Sequence, residues 1–227
     1  MIILALDTTT RAGSAAVLRD GAVLAELSGD PALTHGQRLP GELMRVLEQA
    51  DVRIEDVDLF GVAAGPGSFT GLRVGIATVQ GLAMARGRRV VPVSTLDALA
   101  WAGTNPHRRI AAWMDAQRGE VSAALYAPNG RDTLIDPHSA TPASVLDRWV
   151  AEVDVTTAIF IGDGAVRYRE IVEGRTGPGA IVAPPLLARF VGAIAAADPA
   201  RAVLPHAVVP IYIRVSDAEL ARARRIT

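Results

Sequence analysis

Hydrophobic positions fall in short blocks separated by glycine, proline and polar pairs, and the period of each block predicts its element. Ile2 to Leu6 is an unbroken apolar run of strand length that ends in Asp7-Thr8-Thr9-Thr10. Ser14 to Leu18 leads into Asp20-Gly21, a hairpin signal because both residues tolerate the positive φ of a tight turn, and Ala22 to Leu27 returns. Between Gly36 and Ala50, the residues Leu39, Leu43, Val46, Leu47 and Ala50 line one face at helical spacing. Proline fits only the first turn of a helix, so Pro40 predicts a start near Arg38 or Leu39. Val57 to Ala64 reads as a buried strand, and Thr70 to Arg86 keeps Leu72, Ile76, Val79 and Ala83 at helical spacing.

The connection between those last two elements is Gly65-Pro66-Gly67-Ser68-Phe69-Thr70-Gly71. Its glycines imply backbone angles or close approaches that a side chain would block, serving either an anion at the helix start or close packing of helix on sheet. Small residues also recur along the helix, Ala77, Gly81 and Ala85 in one row and Gly71 and Gly75 in another. Such rows let another helix or the helix's own sheet come close. Asp7 and the three threonines are open to two readings as well: they face a phosphate or its metal ion, or they cap the strand and bond the turn.

Val90 to Val93 is a short strand, and Ser94 with Asp97 forms an approximate capping box for a helix ending near Gly103. Thr104-Asn105-Pro106-His107 breaks the pattern, dividing the chain into residues 1–104 and 105–227, with the C-terminal segment free to pack back on the first part. The second half restarts in the same order. Arg109 to Asp115, Val121 to Ala127 and Thr133 to Ile135 are three strands joined by Gln117-Arg118-Gly119 and Asn129-Gly130. A helix from Thr141-Pro142 buries Val145, Leu146, Trp149 and Val153; Ala158 to Ile161 is a strand ending in Gly162-Asp163-Gly164-Ala165; Leu186 to Ala197 is a helix stopped by Pro199. His206 to Arg214 reads as a last strand or extended segment, and Ser216 with Glu219 caps a short arginine-rich tail. This repeated order predicts a duplicated α/β unit.

Composition then narrows the chemistry. Half of the 227 residues are hydrophobic, so a core is available, and no apolar span reaches the roughly 18 residues of a membrane helix. The N-terminus has no basic leader and reaches Asp7 within one strand, unlike a signal peptide. All 23 basic residues are arginine against 24 acidic ones, a formal charge of −1 that attracts neither nucleic acid nor an anionic membrane overall. With no lysine there is no Walker loop or Schiff base, and with no cysteine no thiol nucleophile or disulfide, consistent with a cytoplasmic location. His35, His107, His138 and His206 lie too far apart for a helical metal pair, which removes an HExxH peptidase. Ser68 lacks the flanking glycines of a nucleophile elbow. No catalytic or metal residue is assigned.

The N-terminal half resembles the TsaB (YeaZ) family, the non-catalytic member of the bacterial machinery that makes N6-threonylcarbamoyladenosine in tRNA. The resemblance rests on Ala5-Leu6-Asp7-Thr8-Thr9-Thr10, on His35-Gly36-Gln37-Arg38-Leu39, on the long run from Gly65 through GPGSFTGLRVGIATVQGLA to Ala83, and on Pro92-Val93-Ser94-Thr95-Leu96. Weaker matches are Met114 to Val121 and Gly162-Asp163-Gly164-Ala165. It implies an α/β fold of the actin, sugar-kinase and Hsp70 type (ASKHA), with two RNase H-like lobes, each a mixed sheet flanked by helices. It implies too that the metal histidines of the catalytic paralogue TsaD fall on Thr95 and Leu99 here, so the metal site is lost.

The expected function is that of an accessory subunit which binds and activates TsaD, with a TsaE ATPase as further partner, tRNA met only through the complex, and a homodimer when alone. The implied interface comprises His35, Arg38, Leu39, Leu43, Ser68, Phe69, Leu72, Arg73, Gly75, Ile76, Ala77, Val79 and Gln80, while Asp7, Thr8, Thr9, Thr10, Gly162 and Gly164 are candidate phosphate-facing residues. The candidate nucleotide is ATP or ADP at the interface with the catalytic partner, and none is assigned to the isolated chain. The alternatives are a stand-alone ASKHA-type kinase or ATPase and, more remotely, a glycoprotease-like peptidase.

Overall fold

The computed structural model describes residues 1–213; the predicted cap at Ser216 and Glu219 and the arginines at 222, 224 and 225 lie outside them. The first apolar run is β1 (Ile2–Asp7), the middle strand of a five-stranded sheet. It pairs antiparallel with β2 (Ser14–Arg19), which the Asp20-Gly21 hairpin returns into β3 (Ala22–Ser28). On its other side β1 pairs parallel with β4 (Leu59–Gly65), and β4 with β5 (Arg89–Ser94). The second sheet repeats the scheme: β6 (Ile110–Asp115) lies between antiparallel β7 (Val121–Tyr126) with β8 (Thr133–Ala140), and parallel β9 (Ile159–Ile161) with the short β10 (Ile181–Val182). The orders β3-β2-β1-β4-β5 and β8-β7-β6-β9-β10 are therefore the same.

Helices α1 (His35–Gln49) and α2 (Phe69–Ala85) cover one face of the first sheet, packing Leu39, Leu43, Val46, Ile76 and Val79 against Leu4, Val17, Phe60 and Val62. The start of α1 is a full turn earlier than Pro40 predicts. Pro40 sits in its second turn and leaves the Gly36 carbonyl without its helical donor. Other bonds hold that first turn: the Thr34 N–H and hydroxyl donate to Gln37 Oε1 at 3.0 and 2.8 Å, and His35 and Arg38 are tied to the loop after β1.

Helix α3 (Thr95–Ala102) starts at Ser94, whose hydroxyl accepts from the Asp97 N–H. The Asp97 carboxylate does not complete a capping box; it accepts from the Tyr126 hydroxyl at 2.8 Å. In the second lobe α4 (Pro142–Glu152), capped by Thr141, places Trp149 against Trp113 with ring centroids 6.0 Å apart, and Trp113 meets Phe160 at 5.4 Å. Helices α5 (Asp163–Arg167) and α6 (Arg169–Thr176) follow β9. The last helix, α7 (Ala188–Ala197), returns to the first lobe and packs on β1, β2 and β4. Helix α3 packs in turn on β6 and β7 of the second lobe, so one continuous apolar core of α3, α7 and the facing sides of both sheets joins the halves.

Residues 208–213 form no strand; among the described residues of the C-terminal segment, the sheet is met by the bridge between Val203 and Val90 and by the Ile211 N–H, which donates to the Ala64 carbonyl at 2.7 Å. Pro205 and Pro210 have no N–H to give to a ladder.

The anchor of α7 on the first lobe is specific. The Ser14 hydroxyl, at the start of β2 and buried, accepts from the Ala188 N–H at 2.9 Å. Ser14→Ala leaves that N–H buried without an acceptor, and denaturant titration should show a loss of about 1–3 kcal/mol; an unchanged midpoint would contradict this role.

Candidate functional site

The carboxyl ends of β1, β4 and β6 and the start of β7 open on a cleft of about 1150 Å³ between the lobes. One wall is the threonine turn after β1 with the start of α2; the other is formed by Asp115, Gln117, Arg118 and Asp163. The turn and the helix are held together by close approach. The Ser68 N–H donates to the Thr9 carbonyl at 2.8 Å, and a Cβ on Gly67 would lie 2.5 Å from the Thr9 Cβ. A Cβ on Gly71 would collide with the Thr8 carbonyl and one on Gly75 with the Thr8 hydroxyl. Those glycines are needed because α2 rides directly on the turn. The Ser68 hydroxyl accepts from the Gly71 N–H at 3.2 Å and so caps α2.

The predicted phosphate-facing residues separate. Thr9 and Thr10 line the cleft; Thr8 is fully buried beneath α2; Asp7, 2% exposed, points its Oδ1 at its own turn, accepting from the Thr9 N–H at 2.9 Å and the Thr9 hydroxyl at 2.6 Å. Gly162 and Gly164 do not face the cleft: Cβ atoms there would run into the backbone of Trp113 and Met114, so these glycines let α5 lie against β6. Asp115 and Asp163 occupy that wall instead. Both stand within the weaker family matches at Met114 to Val121 and Gly162 to Ala165, and Asp115 ends β6 as Asp7 ends β1, so the duplication could have singled it out. The Asp115 N–H donates to Asp163 Oδ1 at 2.9 Å, and Arg167 lies 3.3 Å from Asp115 Oδ2.

Burial raises the pKa of Asp7, against the pull of Thr9 and Arg38, and burial raises that of Asp163, reinforced by Asp115 and Asp7. Two carboxyls on the cleft wall, Asp115 and Asp163, disfavour a further anion unless a cation accompanies it. Among the described residues no cluster of histidine, cysteine, aspartate and glutamate could hold a metal ion.

His35 and Arg38 belong to the scaffold of the site. His35 Nε2 donates to the Thr10 carbonyl at 3.1 Å while its Nδ1 accepts from the Arg38 guanidinium at 2.6 Å, and burial together with Arg38 lowers its pKa. The imidazole is neutral with both nitrogens engaged, so it has no lone pair left for a substrate. Arg38 also donates to the Arg11 and Ala12 carbonyls and pairs with Glu42 at 2.5 Å in full burial. Among the described residues no nucleophile stands beside a free base on the cleft wall.

The residues expected at an interface also divide. Leu39, Leu43, Leu72, Ile76 and Val79 are buried in the first lobe's own core, with Ile76 at the floor of a shallow groove, Arg38 is bonded to the loop after β1, and Gly75 is pressed on Thr8. Gln80, half-buried, donates to the Pro205 and Val208 carbonyls. What remains outward on α2 is Ser68, Phe69, Arg73 and Ala77, continued by Gly81 and Met84. Phe69 is 50% and Met84 64% exposed, Arg73 lies over the Phe69 ring at 3.9 Å, and a Cβ on Gly81 would meet nothing. The two small-residue rows of α2 thus serve opposite faces.

Two like lobes with strand order 3-2-1-4-5, facing each other across a cleft and sharing helices at their junction, define an ASKHA-type fold. A family model described as TsaD, tRNA N6-adenosine threonylcarbamoyltransferase, matches residues 30–183. The tRNA threonylcarbamoyladenosine biosynthesis protein TsaB of Bacillus subtilis (strain 168) is 28% identical over 231 residues, 96% of each chain. The structure of YeaZ from Pseudomonas aeruginosa superposes with a TM-score of 0.78 at 32% identity, covering 93% of this chain and 99% of that one. At 13% identity and a TM-score of 0.51, the activator of the 2-hydroxyisocaproyl-CoA dehydratase from Clostridium difficile, covered to 95% by 87% of this chain, shares the fold alone. The chain belongs to the TsaB (YeaZ) family.

The buried carboxyl at Asp7 gives a pH signature. The folded chain keeps its proton above the ordinary carboxylate range, near 4, where the unfolded chain has released it. The stability this group contributes is therefore full below that range and falls as pH rises through the raised value. Asp7→Asn never ionises, so urea titrations from pH 4 to 7 should show the variant gaining on wild type as pH rises. A difference independent of pH would contradict the burial-driven shift.

Proposed function

We propose that this chain serves tRNA threonylcarbamoyladenosine biosynthesis as a non-catalytic subunit, docking through the outward face of α2 on the TsaD-type catalytic subunit. The observation that carries the reading is the division of labour on α2. Its inward glycines and the polar groups around them are consumed in holding the turn after β1, while its outward row of small and apolar residues stands exposed among the described residues. A row with Ala77 and Gly81 at its centre lets a second helix come close, and large exposed side chains at Phe69 and Met84 supply apolar area at the two ends. The matched family model spans α1 and α2, so the catalytic subunit brings a related pair of helices to the contact. The same face suits pairing with a second copy when the catalytic subunit is absent.

The chemistry then resides on the partner. The cleft of this chain has no lysine, no free imidazole and no nucleophile with a base, and its Asp7 is directed at its own backbone. tRNA is met through the complex, a TsaE-type ATPase acts on the assembled pair, and ATP or ADP binds where the two subunits meet. No helix among the described residues is long and apolar enough to cross a membrane.

Ala77→Arg places a charge in the middle of the outward row without touching the core. Mixed with purified catalytic subunit, threonylcarbamoyl-adenylate and unmodified tRNA, wild-type chain should support product formation, and the variant should bind the catalytic subunit at least about tenfold more weakly with unchanged thermal stability. Full product formation with this chain omitted would overturn the proposal.

A further inference from the structure

The segment from Ala202 to the last described residues runs as a strap over the first lobe, and its fastenings are specific. Val203 exchanges backbone hydrogen bonds with Val90 at 2.8 and 3.0 Å, and Arg89 Nη1 donates to the Ala202 carbonyl at 3.2 Å. Gln80 Nε2 on α2 donates to the Pro205 carbonyl at 2.9 Å and the Val208 carbonyl at 3.1 Å, satisfying both with one side-chain amide. Val208, 3% exposed, plugs into the first lobe's core. Beyond it the Ile211 N–H donates to the Ala64 carbonyl at 2.7 Å, and a Cβ on Gly65 would collide with the Ile211 carbonyl. Tyr212 then stacks on Phe69 with ring centroids 5.7 Å apart.

So fastened, the strap turns apolar side chains to the outside: Leu204 is 51%, Val209 67%, Ile211 38% and Tyr212 48% exposed. Tyr212 adjoins the outward row of α2 through the Phe69 stack and across a groove of about 320 Å³ lined by Arg73, Ile76, Ala77 and Gln80 on one side and Val208, Pro210 and Tyr212 on the other, while Ile211 and Tyr212 also border the cleft between the lobes. A run of large apolar side chains held outward by a polar clasp is the mark of an interaction surface rather than of loose chain.

We infer that the docking face for the catalytic subunit is composite, formed by the outward row of α2 and this strap together, with Gln80 as the residue that positions the strap. The inference rests on the docking role proposed for α2. The strap lies beyond residue 183, where the match to the transferase family model ends, whereas α1 and α2 lie within it. The strap's occupant is the catalytic subunit, because the strap is continuous with the row that receives that subunit.

Binding of the full chain to purified TsaD-type subunit, measured by calorimetry, tests this with three variants. Val209→Arg alters a side chain with no buried contact and should weaken binding about tenfold while leaving the thermal midpoint in place. Gln80→Leu removes both clasp bonds; it should weaken binding several-fold and speed hydrogen exchange at the Ile211 amide. Ala77→Arg is the reference for the α2 row. Loss of binding in Ala77→Arg with wild-type binding in Val209→Arg would overturn the composite face and leave the α2 reading standing; wild-type binding in both would remove the α2 reading and the composite face with it. Val209→Arg disrupting only self-association would assign the strap to a second copy and overturn the inference.

Discussion

Contact between the threonine turn after β1 and the glycine face of α2 fixes the rest of the first lobe. Because Gly67, Gly71 and Gly75 present no side chains, α2 sits directly on Thr8 and Thr9, with the Ser68 N–H bonded to the Thr9 carbonyl. That placement aims the opposite side of the helix outward and brings Gln80 and Gly65 under the C-terminal strap. On the cleft side of the turn, the Asp7 carboxylate accepts from the N–H and hydroxyl of Thr9. The buried Arg38 and Glu42 pair and the neutral His35 complete the brace from α1. Removing one member of such a pair strands the other charge, which costs about 3–5 kcal/mol.

The proposed function rests on this allocation of surfaces. Here the cleft wall carries Asp115 and Asp163, and Arg167 approaches Asp115. The free surface is apolar and lies on α2 and the strap. Family membership then gives that surface a partner of matching build.

Most of the architecture was legible in the chain. Asp20-Gly21 and Asn129-Gly130 announced hairpins, the buried strands appeared as unbroken apolar runs, and the repeated order exposed the duplication. The failures share a cause: each depended on a contact distant in sequence. The start of α1 is decided by bonds from His35 and Arg38 to the loop after β1, which outweigh the bond lost at Pro40. Helical spacing marked Leu39, Leu43, Leu72, Ile76 and Val79 equally well for a core or an interface, and only the sheet beneath α1 and α2 decides for the core. Gly162 and Gly164 read like a phosphate loop but serve contact with β6. The stretch from His206 reads as a last strand or an extended segment; its described residues join no ladder, because Pro205 and Pro210 have no N–H to give and the Gln80 amide takes the Pro205 and Val208 carbonyls.

The central claim is that the outward face of α2 carries the function and the cleft does not. It is tested most directly by the initial rate of threonylcarbamoyladenosine formation in the reconstituted system, comparing Asp7→Asn in the cleft with Ala77→Arg on the face, both confirmed as folded. The account predicts a rate near wild type for Asp7→Asn and a rate near that of the system without this chain for Ala77→Arg. The reverse result, activity lost with Asp7 and kept with the charged face, would contradict it.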